Sequence, residues 1–332
     1  MKPPFIEVII VFKTLDKFIL ESVKHCLKLD YKNFSILLVP DEKIDFPIKD
    51  EKIRIVVSGL ISIPKKRNVG IKNSLKKTEF IAFVDSDAFP HKNWLQNSIK
   101  YFNKKQTLAV GGPNLTPPNE EFKRKIAGNV IKQKIAIGES AIRHKSYKTQ
   151  YLNELPTCNL IVRKSFLDNN LFDESLTTGE DAQLCSSIIK KKGKILYAKD
   201  VIVFHHRRRI FKPLLKQYYY YGYFKAQLFF KKQLHSKYYL APPLFLVYLV
   251  FGIIFSFFSK IFFLIFFSSI AVYLLIIFFS SSYNSQYNPE VLPTTLCVFL
   301  VHISYGSGFL ASFFQRTLLK IKRDSRTISA NE

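Results

Sequence analysis

Along the first two hundred positions, apolar residues fall in short runs separated by mixed stretches. EVIIVF (7–12), FSILLV (34–39), KIRIVV (52–57) and EFIAFV (79–84) are rich in β-branched and aromatic residues and have the length of buried strands. Between the first two, LDKFILESVKHCLKL (15–29) sets Phe18, Ile19, Ser22, Val23, Cys26 and Leu27 at helical spacing. This alternation predicts an α/β fold, Rossmann-like, with a mainly parallel sheet flanked by helices. Ligands on such sheets bind beyond the carboxyl ends of the strands.

The pattern changes near Lys237. Residues 240–258, 261–281 and 291–314 carry no charge, and about 20 apolar residues suffice for a helix to cross a bilayer core. Three such runs nearly in series exceed what a domain of this size buries. They predict a membrane region over 240–315 of two to three hydrophobic helices, followed by a basic tail, 316–332. Lys231, Lys232 and Lys237 precede the first run; Arg316, Lys320, Lys322, Arg323 and Arg326 follow the last. The positive-inside rule draws both clusters to the cytoplasm, whereas three full crossings would part them. One segment is therefore expected to be re-entrant or interfacial: the first, with Pro242 and Pro243, or the third, with His302, Tyr305, Gly306 and Gly308. The expected location is the cell (inner) membrane, with residues 1–204 on its cytoplasmic side.

Charge sharpens the list of partners. The 332 residues carry a formal +25, and after residue 239 there are only six Lys/Arg against three Asp/Glu, so +22 lies on the earlier part. Such a surface suits nucleic acid, phosphorylated substrates or acidic headgroups; the plainer reading is lysine-rich solubility. No nucleic-acid module is visible, and membrane spans account for the basic flanks, so no nucleic-acid partner is expected. Cys26, Cys158, Cys185 and Cys297 form no C-x-x-C pair and fit a reducing compartment. The opening MKPPFIEVIIVFK is too short in its apolar part for a signal peptide.

The chemistry begins at FIAFVDSDAFP (80–90), where Asp85 and Asp87 flank one serine at a strand's end. Two carboxylates in one turn repel unless a cation lies between them, and hard ions such as Mg²⁺ or Mn²⁺ prefer oxygen ligands. Mg²⁺ is typically held by one or two carboxylates plus substrate phosphates. A second feature is GEDAQLC (179–185), with Glu180 and Asp181 at a helix start. Acids there are favoured by the helix dipole alone; the functional alternative is a general base beside a substrate hydroxyl.

Taken in order, these segments resemble the family 2, GT-A-fold glycosyltransferases. FIEVIIVFKTLDKFILESVKHCLKLDYKNFSILLV looks like the family's first strand, helix and second strand. PKKRNVGIKNSLKKTEFIAFVDSDAFPHKNWL looks like its R-N-x-G helix and D-x-D strand. AVGGPN and LPTCNLIVRKSFL resemble its acceptor-side strands, and FDESLTTGEDAQLC its F-D-E…G-E-D-x-x-L motif. The likeness covers about residues 5–225. It implies metal binding by Asp87 and Asp85, with Asp85 also near the donor ribose. It further implies a catalytic base at Asp181 with Glu180 beside it, and donor contacts from Asp41 and Arg67. Asn159 is the acceptor- or phosphate-side candidate within LPTCNL. His205 is a further metal-ligand candidate, as histidine is in some members. The implied cofactor is Mg²⁺ or Mn²⁺.

Two turns depart from the family pattern: VFKT (11–14) after the first strand and PDE (40–42) after the second. Both touch base recognition, leaving UDP favoured and GDP or dTDP as alternatives. Gln217 stands without the Arg-Trp of processive members. Residues 205–239 combine His205, His206 and Arg207–Arg209 with Phe211, Tyr218–Tyr221, Tyr223 and Phe224, the composition of a segment lying in the headgroup plane of an anionic membrane. Arg207 and Arg208 are the candidates for gripping the diphosphate of a lipid-linked acceptor. The expected activity is inverting transfer from a nucleotide sugar to a lipid-linked saccharide in cell-surface polysaccharide or glycolipid synthesis. An inactive membrane-anchored nucleotide-sugar or polyanion binder, or a nucleic-acid-binding membrane protein, are the alternatives.

Overall fold

The computed structural model describes residues 3–176, 179–230, 237–285 and 287–317. Lys231, Lys232, Lys320, Lys322, Arg323 and Arg326, and with them most of the tail 316–332, lie outside the described residues. The chain runs β1 (Ile6–Phe12), α1 (Lys17–Leu27), β2 (Phe34–Pro40), β3 (Ile53–Ile55), α2 (Ile63–Lys72), β4 (Phe80–Phe83), β5 (Ala88–Pro90) and α3 (Trp94–Ile99). It continues β6 (Thr107–Gly111), β7 (Asn114–Leu115), α4 (Phe122–Ile131), α5 (Lys134–Ile137), β8 (Gln150–Leu152), β9 (Leu160–Arg163) and α6 (Lys164–Leu167). It ends α7 (Glu180–Lys190), β10 (Lys194–Tyr197), β11 (Val203–His205), α8 (Lys212–Phe230), α9 (Ala241–Ser256), α10 (Lys260–Asn284) and α11 (Asn288–Thr317).

Two compact units divide these elements: residues 1–117 with 145–206, and 118–144 with 207–324. The first unit holds an eight-stranded sheet in the order β3-β2-β1-β4-β9-β6-β10-β8. β1, β2, β3 and β4 run parallel, as do β6 and β10; β9 lies antiparallel between β4 and β6, and β8 is an antiparallel edge. All seven residues of β1 and of β2 are buried, as expected where both faces of a parallel sheet are covered. Even Glu7 of β1 is fully buried; Arg54 (2.8 Å), Ser35, Thr78 and the Leu75 N–H satisfy it, which a buried charge requires. α1 begins where the Asp16 side chain accepts the N–H groups of Phe18 and Ile19, and buries Ile19, Ser22, Val23 and Cys26. β3 is shorter than the apolar run 52–57, because it is the sheet edge and its end, Ile55, faces solvent. A smaller sheet, β5-β11-β7, pairs β5 antiparallel with β11.

The second unit is helical. Three of its helices are long and apolar enough to cross a membrane: Tyr238–Ser256, Lys260–Asn284 and Asn288–Arg316. The first two bury 11% of their most apolar stretch inside the protein and the third 50%, so α11 is the central helix. Its polar residues find partners within the unit. Glu290 accepts from Asn129 Nδ2 (2.8 Å), and His302 meets both the Tyr273 hydroxyl (2.8 Å) and the Ile135 carbonyl (2.9 Å). Residues 118–144, which the sequence pattern leaves inside the N-terminal domain, thus belong with these helices. The aromatic segment after Arg209 becomes α8, which packs Leu214, Tyr218, Gly222, Tyr223 and Ala226 inward. Of the seven aromatics in that run, Tyr218 and Tyr223 are buried. All four cysteines are buried thiols, none in a disulfide.

Candidate functional site

β4 ends at Phe83, and the chain turns through Asp85-Ser86-Asp87 into β5. Because β5 pairs with β11, Ala88 faces His205 and the His206 N–H donates to the Asp87 carbonyl (3.0 Å). That pairing carries His205 Nε2 to 3.1 Å from Asp87 Oδ1. One ligand atom each from Asp85, Asp87 and His205 lie within 4.8 Å of one another. Adjacent ligands on an octahedral ion with bonds of about 2.1 Å stand about 3 Å apart, so the His205–Asp87 spacing already has the right edge length. Two carboxylates and one imidazole form a donor set that a divalent first-row ion accepts. Burial works to lower the His205 pKa, but Asp87 and the neighbouring Cys158 outweigh it and push it up to about 10. Asp85 moves up as well: burial dominates, and Arg67 and His205 oppose it.

The third acid arrives from α7. Gly179 adopts φ 85°, the left-handed region that glycine tolerates best, and this turn starts the helix with Glu180 and Asp181 in its first turn. Asp181 Oδ1 accepts the Ala182 N–H (2.8 Å). Arg67, buried on α2, joins the two ends: Nη1 donates to Glu180 Oε1 (2.7 Å) and Nη2 to Asp85 Oδ1 (3.0 Å). Its pKa is raised; burial acts downward, and Asp85, Glu180 and Asp181 together overcome it. The next residue, Asn68, holds the same segment. Its Nδ2 donates to the Phe172 carbonyl (2.9 Å) and Glu174 (3.0 Å), while its Oδ1 accepts the Phe172 N–H (3.0 Å). Arg67 and Asn68 therefore staple α2 to Phe172, Glu174 and Glu180, and that staple brings the start of α7 to the Asp85–Asp87 turn.

Residues 7–168 match the family model "Glycosyl transferase family 2". Over that stretch, just under half of its length, the chain is similar to the family 2 glycosyl transferases. Among characterised proteins, the "Pre-mycofactocin glycosyltransferase" of Mycobacterium tuberculosis is 26% identical over 140 residues, 42% of this chain and 29% of the relative's length. The "Glycosyltransferase GlyG" of Streptococcus pneumoniae is 26% identical over 205 residues, 55% of this chain and 67% of that protein. The match to the first relative thus spans under a third of that protein. Among solved structures, the mannosyltransferase PcManGT of Pyrobaculum calidifontis, in complex with GDP-Man and Mn²⁺, superposes over 92% of this chain and 87% of its own. Its TM-score is 0.61 at 14% identity, a likeness of fold. The sheet and its flanking helices are GT-A-like.

The other sequence candidates take distinct places. Asp41, just past β2, is buried and paired with Lys66, whose Nζ also donates to the Phe12 carbonyl (3.2 Å). Asn159 is fully buried inside the fold. Its Nδ2 donates to the Pro113 and Val201 carbonyls (3.1 and 2.8 Å) and its Oδ1 accepts from Trp94 Nε1 (2.9 Å). The expected acceptor contact is replaced there by a scaffold role, because both ends of the amide serve backbone and Trp94. Arg207 and Arg208 open the second unit. Arg207 is buried, near Lys132 and Tyr218, with its carbonyl accepting from Arg124 Nη1 (2.5 Å); Arg208 is exposed. Lys66 and Asn68, on either side of Arg67, are the contact residues that the motif reading passed over. Both lie in the quoted PKKRN run, and a lysine on the buried face of a helix was the available signal.

Proposed function

We propose that this protein is a membrane-associated, metal-dependent glycosyltransferase that moves a sugar from a nucleotide donor, UDP favoured over GDP or dTDP, to a lipid-linked saccharide. The observation that carries the reading is the convergence of Asp85, Asp87 and His205 with Glu180 through Arg67 at the carboxyl end of β4. Asp85, Asp87 and His205 would hold Mn²⁺ or Mg²⁺. When bound, such an ion neutralises charge on the departing diphosphate.

The chain's own residues supply the rest. An acceptor hydroxyl oxygen forms a bond to the anomeric carbon as the carbon–oxygen bond to the diphosphate breaks, and the diphosphate leaves with the electron pair. Asp181 takes the hydroxyl proton. This single displacement inverts the anomeric centre. Arg67 holds Glu180, and so the start of α7, against Asp85, fixing the base relative to the diphosphate. The three apolar helices support membrane residence with a lipid-linked acceptor and anionic headgroups. We assign transfer to the cytoplasmic face of the cell membrane, in cell-surface polysaccharide or glycolipid synthesis, a reading that the basic residues flanking the apolar helices support. The test is a thermal-shift panel of nucleoside diphosphates and nucleotide sugars on the full chain in detergent, with and without Mn²⁺. A metal-dependent rise with one nucleotide is expected; a flat panel would refute the reading.

A further inference from the structure

The small sheet that carries His205 is short. β5 and β11 have three residues each and β7 two, and β11 ends at His205 itself. Strands of that length form a marginal sheet without support from a neighbouring element. Successive side chains along an extended chain point to opposite faces. His205 turns toward Asp87, and His206 turns the other way, where α1 receives it. His206 Nε2 lies 2.9 Å from Glu21 Oε2, and because a carboxylate only accepts, this nitrogen carries the hydrogen. The imidazole packs against Phe18 and Phe89, with ring centroids 4.7 and 5.6 Å away. Phe89 in turn meets Phe204 at 5.3 Å and His25 at 4.4 Å. Phe18, Glu21 and His25 stand three and four positions apart, in one row along α1.

The Glu21–His206 bond lies at the rim of the protein: 39% of the Glu21 side chain is exposed, against 11% of His206. A partly exposed pair of this kind adds little to stability. What it fixes is geometry. The His206 backbone N–H donates to the Asp87 carbonyl (3.0 Å), and the preceding residue sets its ring 3.1 Å from the Asp87 carboxylate. Side chain and backbone of His206 thus join α1 to both members of the Asp87–His205 pair. His206 is also where this segment of the first unit ends, so its side chain is what holds the strand end past the last ladder pair.

We infer that Glu21 is a positioning residue for the candidate metal site: by holding His206 it keeps His205 and Asp87 at the spacing a divalent ion needs. Asp85, Asp87 and His205 remain the donors, and Glu21 acts on them through His206. The inference rests on the proposed metal-dependent reading and adds a residue of α1 to it.

Mn²⁺ binding to the full chain in detergent, followed by loss of the free ion's paramagnetic resonance signal, tests it without turnover. Glu21→Ala should bind Mn²⁺ about ten-fold more weakly than the wild type, the lower end of the effect of losing a residue that orients a metal ligand. Glu21→Gln, whose amide oxygen still accepts from His206, should stay within about three-fold of the wild type on that scale. His206→Phe keeps a ring against Phe18 and loses the hydrogen bond; it should match Glu21→Ala, and serves if that variant does not fold. The Trp94 fluorescence transition in denaturant, recorded without metal, establishes folding in each case. A merely structural glutamate would move that transition and leave the Mn²⁺ affinity of the folded chain alone. Unchanged affinity in Glu21→Ala or His206→Phe therefore overturns the inference and leaves the metal-dependent reading standing. Equal weakening in Glu21→Gln and Glu21→Ala overturns it as well, since the effect then belongs to the charge and not to the bond. Wild-type chain that binds no Mn²⁺ removes both.

Discussion

Replacing Arg67 by methionine would remove the guanidinium from between Asp85 and Glu180 while retaining an apolar stem against Phe172, whose ring centroid lies 5.6 Å away. The two ion pairs measure 3.0 and 2.7 Å, and 6% of the Arg67 side chain is exposed, against 33% of Asp85 and 15% of Glu180. At an effective dielectric of about 20, each pair at 3 Å attracts by about 5.5 kcal/mol gross. Desolvation offsets most of this. Truncation leaves two acids facing one another without a counter-charge, and removing one partner of a buried pair destabilises by about 3–5 kcal/mol. The solvent at Asp85 screens its share, which places the expected loss near about 3 kcal/mol. Glu180→Gln alone should lose about 1–2 kcal/mol. In Arg67→Met/Glu180→Gln the glutamine removes an acid that has already lost its partner. The double variant should therefore be more stable than the sum of the two losses, by about 1–3 kcal/mol. Trp94 is the sequence's single tryptophan, fully buried in the first unit with its Nε1 bonded to Asn159. Its fluorescence through a denaturant titration therefore reports this unit. Additivity within about 0.5 kcal/mol would refute the bridging role.

Three further outcomes are expected. Tyr197 donates its hydroxyl to the Lys145 carbonyl (2.7 Å) and accepts the Tyr147 N–H, and burial raises its pKa from 10.0 to about 12. Its contribution is complete below pH 10 and is lost as pH rises through about 12. The Trp94-monitored midpoint should fall over that window, and an equally steep fall in Tyr197→Phe would refute the assignment. In the helical unit, a methyl group at Gly222 would run into the Tyr305 carbonyl of α11. Gly222→Ala should cost about 1–3 kcal/mol by overpacking, seen as earlier loss of helical circular dichroism with the Trp94 transition unmoved; a neutral variant would show that α8 and α11 do not meet this closely. Asp181→Asn should lower turnover by about 10²–10⁴-fold while Mn²⁺-dependent nucleotide binding persists, and near-normal turnover would rule out the base.

The four leading strands were legible because each is a run of apolar residues in consecutive positions, and the helix faces because Ile19, Val23 and Cys26 recur at one period. β5, β7, β8 and β11 have two to three residues each, too few for any period to register. The antiparallel insertion of β9 between β4 and β6 leaves no local trace, since strand direction depends on how the chain returns and not on the residues that pair. Asn159 shows the converse: it lies in a motif that pointed to an acceptor, yet its amide joins the Pro113 and Val201 backbones.

Residue chemistry and apolar spacing are local properties. From them alone came an α/β domain, three apolar runs of membrane-crossing length, and Asp85, Asp87, Glu180 and Asp181 as candidate acids. Their meeting was a matter of pairings across long stretches of chain. Arg67 lies 113 residues from Glu180, and His205 lies 118 from Asp87; the β5–β11 ladder and the α2 staple close those distances. The assignment of 118–144 to the helical unit, and the second tie through Lys66, likewise needed the folded chain, because burial is set by what packs against a residue and not by its neighbours in sequence.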